Sequence, residues 1–132
     1  MEEKLNDIPV MYLAAEGGTA GARDAFKRLE GKLPSLRGRK FYGTFQPVTG
    51  EYRACVALEP GDEPDRMGLT RGVIPGGLYA REKMKDWMSR IDDIGRTFTA
   101  MSERLKDRVD TTRPSVEFYR SQNDLILLLP IR

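Results

Sequence analysis

The chain has 132 residues, with 22 Lys and Arg against 20 Asp and Glu, a formal net charge of +2 and no histidine. So small a charge indicates no direct nucleic-acid partner, and the lack of histidine excludes Ser-His and Cys-His nucleophilic centres and histidine metal clusters. Cys55 is the only cysteine, the start of the chain is polar without a visible signal peptide, and no apolar run is long enough for a membrane span, so we expect one cytoplasmic domain without metal, cofactor or membrane partner.

The first half of the chain predicts a strand, a helix and a hairpin. The strand covers residues 8–15, and Thr19 is the expected helix N-cap. Apolar residues at helical spacing then continue towards Pro34, namely Ala22, Phe26, Leu29 and Leu33. Two further strands, 40–45 and 51–58, form the hairpin around a Pro-Val-Thr-Gly turn. The expected register places Phe41, Gly43 and Phe45 on one face together with Tyr52, Ala54 and Val56.

The second half begins after the loop-forming segment 59–65 and repeats this order of elements. A strand region at 69–82 is interrupted by a Pro-Gly-Gly break. A helix follows, whose apolar residues alternate steps of three and four: Ile91, Ile94, Phe98, Met101 and Leu105. Strands 115–120 and 124–131 form the second hairpin.

The matching order of elements predicts a duplicated unit, with one module at about 6–60 and the other at about 68–132. We therefore expect an α+β fold in which two strand-helix-strand-strand modules form an antiparallel sheet. Both helices lie on one face of this sheet, and the modules are related by pseudo-twofold symmetry. The expected core residues are Phe26, Leu29, Phe98, Met101, Phe118 and Leu127.

Glu117 is a carboxylate inside an otherwise apolar hairpin. An even-length turn places it opposite Leu128, among Tyr119 and Ile126, whereas an odd-length loop shifts this register. Both faces of the last strand are apolar, so the face that carries Glu117 is either covered or forms a hollow. Burying a carboxylate there is unfavourable unless it is paired or its pKa rises. The alternative interpretation is an ordinary ion pair at a sheet rim with Arg53, Arg113 or Arg120.

Three stretches, "GVIPGGLYAREKM", "DWMSRIDDIGRTF" and "RPSVEFYRSQNDLILLLPI", resemble the GyrI-like small-molecule-binding domain. This domain also forms the effector-binding part of some AraC-type and MerR-type regulators. The resemblance covers nearly the whole chain and is most specific at "VEFYR" followed by "LLLPI". It implies a hollow between two modules that binds bulky hydrophobic, often cationic aromatic compounds. It also implies that Glu117 contacts the ligand and that aromatic residues line the hollow, the candidates being Trp87, Tyr42, Tyr79 and Tyr119.

The resemblance leaves three functions open. The first is a stand-alone small-molecule-binding protein, since the family's regulators carry a helix-turn-helix domain for which this chain has no room. The second is a hydrolase that opens strained cyclopropane-containing natural products, with Glu117 and Tyr79 as catalytic residues. The third is a protein-protein inhibitor of the gyrase-inhibitor type. For each aromatic candidate the alternative is ordinary core or strand packing.

Overall fold

The computed structural model describes residues 1–132. Eight strands form one antiparallel sheet: β1 Glu2–Leu5, β2 Ile8–Ala14, β3 Phe41–Gln46, β4 Glu51–Ala57, β5 Thr70–Ile74, β6 Gly77–Lys85, β7 Ser115–Tyr119 and β8 Asp124–Pro130. The α-helices are α1 Ala22–Gly31, α2 Pro64–Met67 and α3 Asp93–Arg104, and short 3-10 helices cover Gly18–Gly21 and Trp87–Ser89. The predicted α+β class is confirmed. None of the helices has the length and hydrophobicity that a bilayer crossing requires.

The strand order has the predicted pseudo-twofold symmetry. It runs β1-β6-β8-β7-β3-β4-β2-β5, so each strand of one half has a counterpart at the same distance from the centre. The two halves meet where β3 pairs with β7, and the middle pair of that ladder is Gly43 opposite Glu117. The local pseudo-symmetry axis therefore passes between these two residues.

Both long helices pack on the same face of the sheet. Ala54, Gly43, Glu117 and Leu127 lie opposite one another on consecutive strands, so their side-chain positions share one face. On this face α1 packs around Leu29 in a cluster with Met11, Ala25, Ala54 and Val56. On the same face α3 packs around Met101 in a cluster with Ala80, Met84, Leu125 and Leu127.

The other face of the sheet curls onto itself. Ile74 of β5 and Tyr79 of β6 come from nearly opposite ends of the strand order, yet they lie in one buried cluster. The remaining members are Val10, Tyr42, Cys55, Val116, Ile126 and Leu128. This curvature buries a second apolar face without any helix to cover it.

The register of the first hairpin matches the prediction and that of the second hairpin does not. In the first, Gly43 lies opposite Ala54, as expected. In the second, Glu117 lies opposite Leu127 and not Leu128, because the connection has an odd length. The Ser121 hydroxyl accepts hydrogen bonds from the backbone N–H groups of residues 123 and 124, at 3.2 and 3.0 Å, and so stabilises this longer turn.

Three local features also differ from the prediction. The polar start of the chain forms strand β1, which pairs with β6 of the second half. Thr19 lies inside a 3-10 turn, and the N-cap of α1 is Gly21, with no side-chain hydrogen bond. The end of the predicted loop at 59–65 begins helix α2, with Pro64 in its first turn, where its missing N–H is tolerated.

The predicted core is correct for its aliphatic members and wrong for its aromatic ones. Leu29, Met101 and Leu127 are fully buried. Phe26, Phe98 and Phe118 are only half-buried. The physical reason for Phe98 is its position, because it lines an open cleft described below.

We expect Leu29→Ala to lower the free energy of unfolding by about 2–5 kcal/mol, because a fully buried leucine leaves a cavity when truncated. Urea unfolding measures this change. Leu36→Ala is the matched control, since Leu36 is 46% exposed and should change stability by no more than about 0.5 kcal/mol. Equal effects at both positions would contradict the packing of α1 on the sheet.

Candidate functional site

A cleft of about 1030 Å³ opens on the helix-bearing face of the sheet, beside α3. Strands β3, β4 and β7 contribute Phe45, Tyr52, Glu117 and Tyr119, and α3 contributes Phe98. The cleft lies over the junction of the two halves, where β3 pairs with β7 and Gly43 lies opposite Glu117. The fold therefore places a carboxylate within an aromatic hollow of ligand size.

Glu117 is held by two tyrosines. The hydroxyls of Tyr52 and Tyr119 both donate hydrogen bonds to the same carboxylate oxygen, Oε1, each at 2.6 Å. The other oxygen, Oε2, accepts no hydrogen bond from the chain. Because Tyr52 belongs to β4 and Tyr119 to β7, the cluster joins strands from both halves.

No arginine pairs with Glu117. Arg53 pairs with Glu51 at 2.8 Å, and Arg113 pairs with Asp110 at 2.9 Å. Arg120 is solvent-exposed and forms no ion pair. The alternative of an ordinary rim salt bridge is therefore wrong, and Glu117 is a carboxylate with hydrogen-bond donors but no counter-charge.

Burial raises the pKa of Glu117 above its ordinary range, while the hydrogen bonds from Tyr119 and Tyr52 act in the opposite direction. Burial also raises the pKa of both phenols, and the nearby negative charge of Glu117 raises it further. The two tyrosines therefore remain protonated donors at neutral pH. The carboxyl group, in turn, ionises less readily than an exposed glutamate.

We expect Glu117→Gln to stabilise the protein relative to the wild type as the pH rises. The folded-state pKa of Glu117 lies above its ordinary value of 4.5, so folding takes up protons and wild-type stability falls as the pH rises from 4.5 through the folded-state pKa. Glutamine cannot ionise, so the variant lacks this loss. Urea unfolding of both proteins at several values between about pH 4 and pH 8 measures the difference. A stability difference that does not change with pH would contradict the burial of an ionisable Glu117.

Gly43 leaves the space in which the carboxylate cluster forms. A Cβ atom at this position would lie 2.5 Å from Glu117 Oε1 and 2.8 Å from Tyr52 Cζ, and closer still to the Tyr52 hydroxyl. Such contacts are shorter than real Cβ atoms make. The lack of a side chain at position 43 is therefore required for Tyr52 to reach Glu117.

Two of the predicted aromatic residues lie at this site. Tyr119 lines the cleft and bonds Glu117. Trp87 packs edge-on against Tyr119, with ring centroids 5.0 Å apart, and its indole N–H donates to the Ser121 carbonyl at 2.9 Å. Trp87 does not line the cleft itself, so it supports the position of Tyr119.

The structure does not bring Tyr42 or Tyr79 to the cleft, which corrects the expected aromatic lining. Tyr42 lies on the curled face and stacks on Phe118 at 4.8 Å. Tyr79 is fully buried on that face, and its hydroxyl donates to the Pro75 carbonyl at 2.6 Å. Side chains alternate along a strand, so Tyr42 and its neighbour Gly43 point to opposite faces.

The sequence analysis missed Tyr52 and Gly43 as site residues. The first-hairpin register had already placed both on one face. The sequence did not predict the pairing of β3 with β7, which puts that face beside Glu117. The one available signal was a glycine between aromatic residues in the middle of a strand, which often marks a close approach.

A smaller cavity of about 270 Å³ lies on the opposite side of β3 and β4 and includes Thr44, Arg53 and Cys55. Burial raises the pKa of the Cys55 thiol to about 12. Since the thiolate is the reactive form, this cysteine is an inert buried residue.

No family model matches the sequence, and no curated protein matches it either. Solved structures do match in fold. An integron cassette protein from the mobile metagenome of Vibrio cholerae superposes with a TM-score of 0.75 at 13% identity, covering 100% of this chain and 95% of that one. SAV2435 bound to tetraphenylphosphonium gives 0.68 at 8% identity, with 100% and 93% covered. A hydrolase from Listeria innocua gives 0.55 at 12% identity, with 100% and 91% covered.

The TM-scores show a shared fold, and the low identities show nothing beyond it. The fold is that of a duplicated, curled antiparallel sheet with a ligand-sized cleft on its helix-bearing face. One of the solved neighbours, SAV2435, is described as bound to a small molecule, tetraphenylphosphonium.

Proposed function

We propose that this protein is a GyrI-like small-molecule-binding protein that takes up bulky hydrophobic aromatic cations in the cleft beside α3. The observation that carries the proposal is the state of Glu117. Its carboxylate lies in a cleft of ligand size, has a free oxygen and has no cationic partner within the chain.

A bound cation would offset an unfavourable feature of Glu117, its lack of a counter-charge. A partly buried carboxylate without a counter-charge loses hydration that two phenol hydrogen bonds replace only in part. A large cation supplies the missing charge, and its aromatic groups find apolar and aromatic walls at Phe45, Phe98 and Tyr119. Aromatic rings attract cations through their negative faces, which adds to the attraction of the carboxylate.

The similarity to SAV2435 supports this choice of ligand class. That protein is described as bound to tetraphenylphosphonium, which is a bulky aromatic cation. The support is at the level of fold, since only 8% of the residues are identical. The charge and shape of the cleft in this chain argue independently for the same class.

Titration with tetraphenylphosphonium tests the proposal. Trp87 is the only tryptophan and contacts Tyr119 at the cleft, so its fluorescence reports binding. We expect saturable binding of one cation per chain, tighter at higher pH because the ionised carboxylate is the form that pairs with a cation. The neutral triphenylphosphine oxide serves as the control and should bind more weakly. No saturation below about 1 mM cation would overturn the proposal.

A hydrolase acting at the same site is the second candidate. It is favoured by a carboxyl group with a raised pKa and a free Oε2 beside two phenol donors, which suits a general base. Glu117 would take a proton from water while the water oxygen attacks a carbon of a strained cyclopropane. The electron pair of the breaking ring bond would move onto a conjugated carbonyl, which then takes up a proton. The similarity to the Listeria innocua hydrolase supports this candidate at the level of fold.

Tyr52 and Tyr119, and not Tyr79, would supply the hydroxyl groups in such a reaction. Single-turnover assays with a cyclopropane-conjugated ketone in isotopically labelled water test for it. Turnover should place one labelled oxygen in the product and fall by about 10²–10⁴-fold in Glu117→Gln. If the compound binds but no product forms, the hydrolase candidate is contradicted and only the binding function remains.

A further inference from the structure

The tyrosines that hold Glu117 occupy one of its two carboxylate oxygens completely. An ionised carboxylate has about four lone-pair sites, two on each oxygen. Both sites on Oε1 are filled, one by the Tyr52 hydroxyl and one by the Tyr119 hydroxyl, each at 2.6 Å. Only Oε2 is left for a ligand.

The surrounding packing keeps both phenols on Oε1. Phe26 packs edge-on against the rings of Tyr52 and Tyr119, with centroids 6.3 and 5.2 Å apart. Trp87 also packs edge-on against Tyr119, with ring centroids 5.0 Å apart. Since Gly43 leaves the space that the Tyr52 hydroxyl fills, the strand backbone also favours this arrangement. A ligand that enters the cleft can therefore pair only with Oε2 of Glu117.

We propose that the cleft selects cations without hydrogen-bond donors, such as quaternary ammonium and phosphonium groups, and discriminates against guanidinium and amidinium groups. This inference rests on the proposed function, because it specifies which cations Glu117 accepts. A planar guanidinium pairs best with a carboxylate through two parallel N–H···O bonds, one to each oxygen.

In this site Oε1 already accepts two hydrogen bonds and cannot accept a third. One N–H group of a guanidinium therefore remains unpaired. An unpaired donor in a site withdrawn from water is unfavourable. A quaternary cation has no N–H group to satisfy and loses nothing by contacting Oε2 alone. The two phenols that hydrogen-bond to Glu117 therefore favour quaternary cations over guanidinium groups as ligands.

Two probes that share one naphthylmethyl group test the inference, one carrying trimethylammonium and the other guanidinium. Calorimetric titrations of the wild type, Tyr119→Phe and Tyr52→Phe give the ratio of the two dissociation constants for each protein. In the wild type the trimethylammonium probe should bind at least about tenfold more tightly. Each Phe variant frees one lone pair on Oε1, so the ratio should shift by about tenfold or more towards guanidinium, the value of a charge-assisted hydrogen bond.

Tyr42→Phe is the matched control, because Tyr42 lies on the opposite face of the sheet and its loss should leave the ratio unchanged. Equal or tighter binding of the guanidinium probe by the wild type would overturn the inference, whether or not the variants fold. An unchanged ratio in both cleft variants would overturn it as well. Both results leave cation binding intact, whereas failure of the wild type to bind either probe would remove the proposed function and this inference together.

Discussion

Glu117→Gln should weaken the binding of tetraphenylphosphonium by about 10–100-fold, the range expected for loss of one charged contact in a partly buried site. Glutamine keeps the side-chain length and a carbonyl oxygen that both tyrosines can still donate to. The cluster geometry is thus retained while the negative charge is lost. Neutral triphenylphosphine oxide should bind the variant about as well as it binds the wild type, since its contacts with the cleft walls are unchanged.

Glu103→Gln is the control that distinguishes direct contact between the cation and Glu117 from the loss of any negative charge near the cleft. Glu103 also borders the cleft but is solvent-exposed, so its charge is screened by water and salt. Its loss should change the affinity by less than about threefold, in line with a weak surface charge effect. Fluorescence titrations at a single ionic strength compare the two variants. Equal losses in both would mean that the cation does not contact Glu117.

Gly43→Ala should both destabilise the fold and impair the site. The added methyl group would overlap the Tyr52 hydroxyl and lie 2.5 Å from Glu117 Oε1. Overpacking of this kind lowers the free energy of unfolding by about 1–3 kcal/mol. Because Tyr52 must move away from Glu117, we also expect the affinity for tetraphenylphosphonium to fall by about tenfold, the value of one disturbed hydrogen bond to a charged group.

Gly31→Ala is the matched control for the added methyl group. Gly31 is the last residue of α1, and a Cβ there would meet no atom within 4 Å, so alanine should leave binding unchanged and stability equal or slightly higher. Adding Tyr52→Phe to Gly43→Ala should restore part of the lost stability, because the hydroxyl is the atom nearest the new methyl group. Wild-type stability and affinity in Gly43→Ala would contradict the role assigned to this glycine.

The fold class was accessible from the sequence because its signals are local. Apolar residues at helical spacing located α1 and α3, and the alternation along 40–45 and 51–58 gave the register of the first hairpin. The repeated order of elements indicated a symmetric pair of modules, which the strand order confirms. Glu117 was singled out for a local reason too, as a carboxylate in an apolar hairpin.

The composition of the site depends on contacts that no local pattern encodes. Gly43 and Tyr52 become site residues only because β3 pairs with β7 across the junction of the two halves. The same pairing, with the alternation of side chains, sends Tyr42 to the opposite face. The register of the second hairpin is a separate, local matter: the odd-length turn, in which the Ser121 hydroxyl accepts two backbone N–H groups, places Glu117 opposite Leu127 and not Leu128.

The sequence by itself thus determined the elements of the two modules, their duplication and the carboxylate at the centre of the proposed site, although not strand β1 or helix α2. The tertiary structure alone decided which tyrosines reach that carboxylate. The physical reason is that residue spacing controls which face of its own strand a side chain takes, whereas the neighbours on that face depend on how distant strands pair and how the sheet curls.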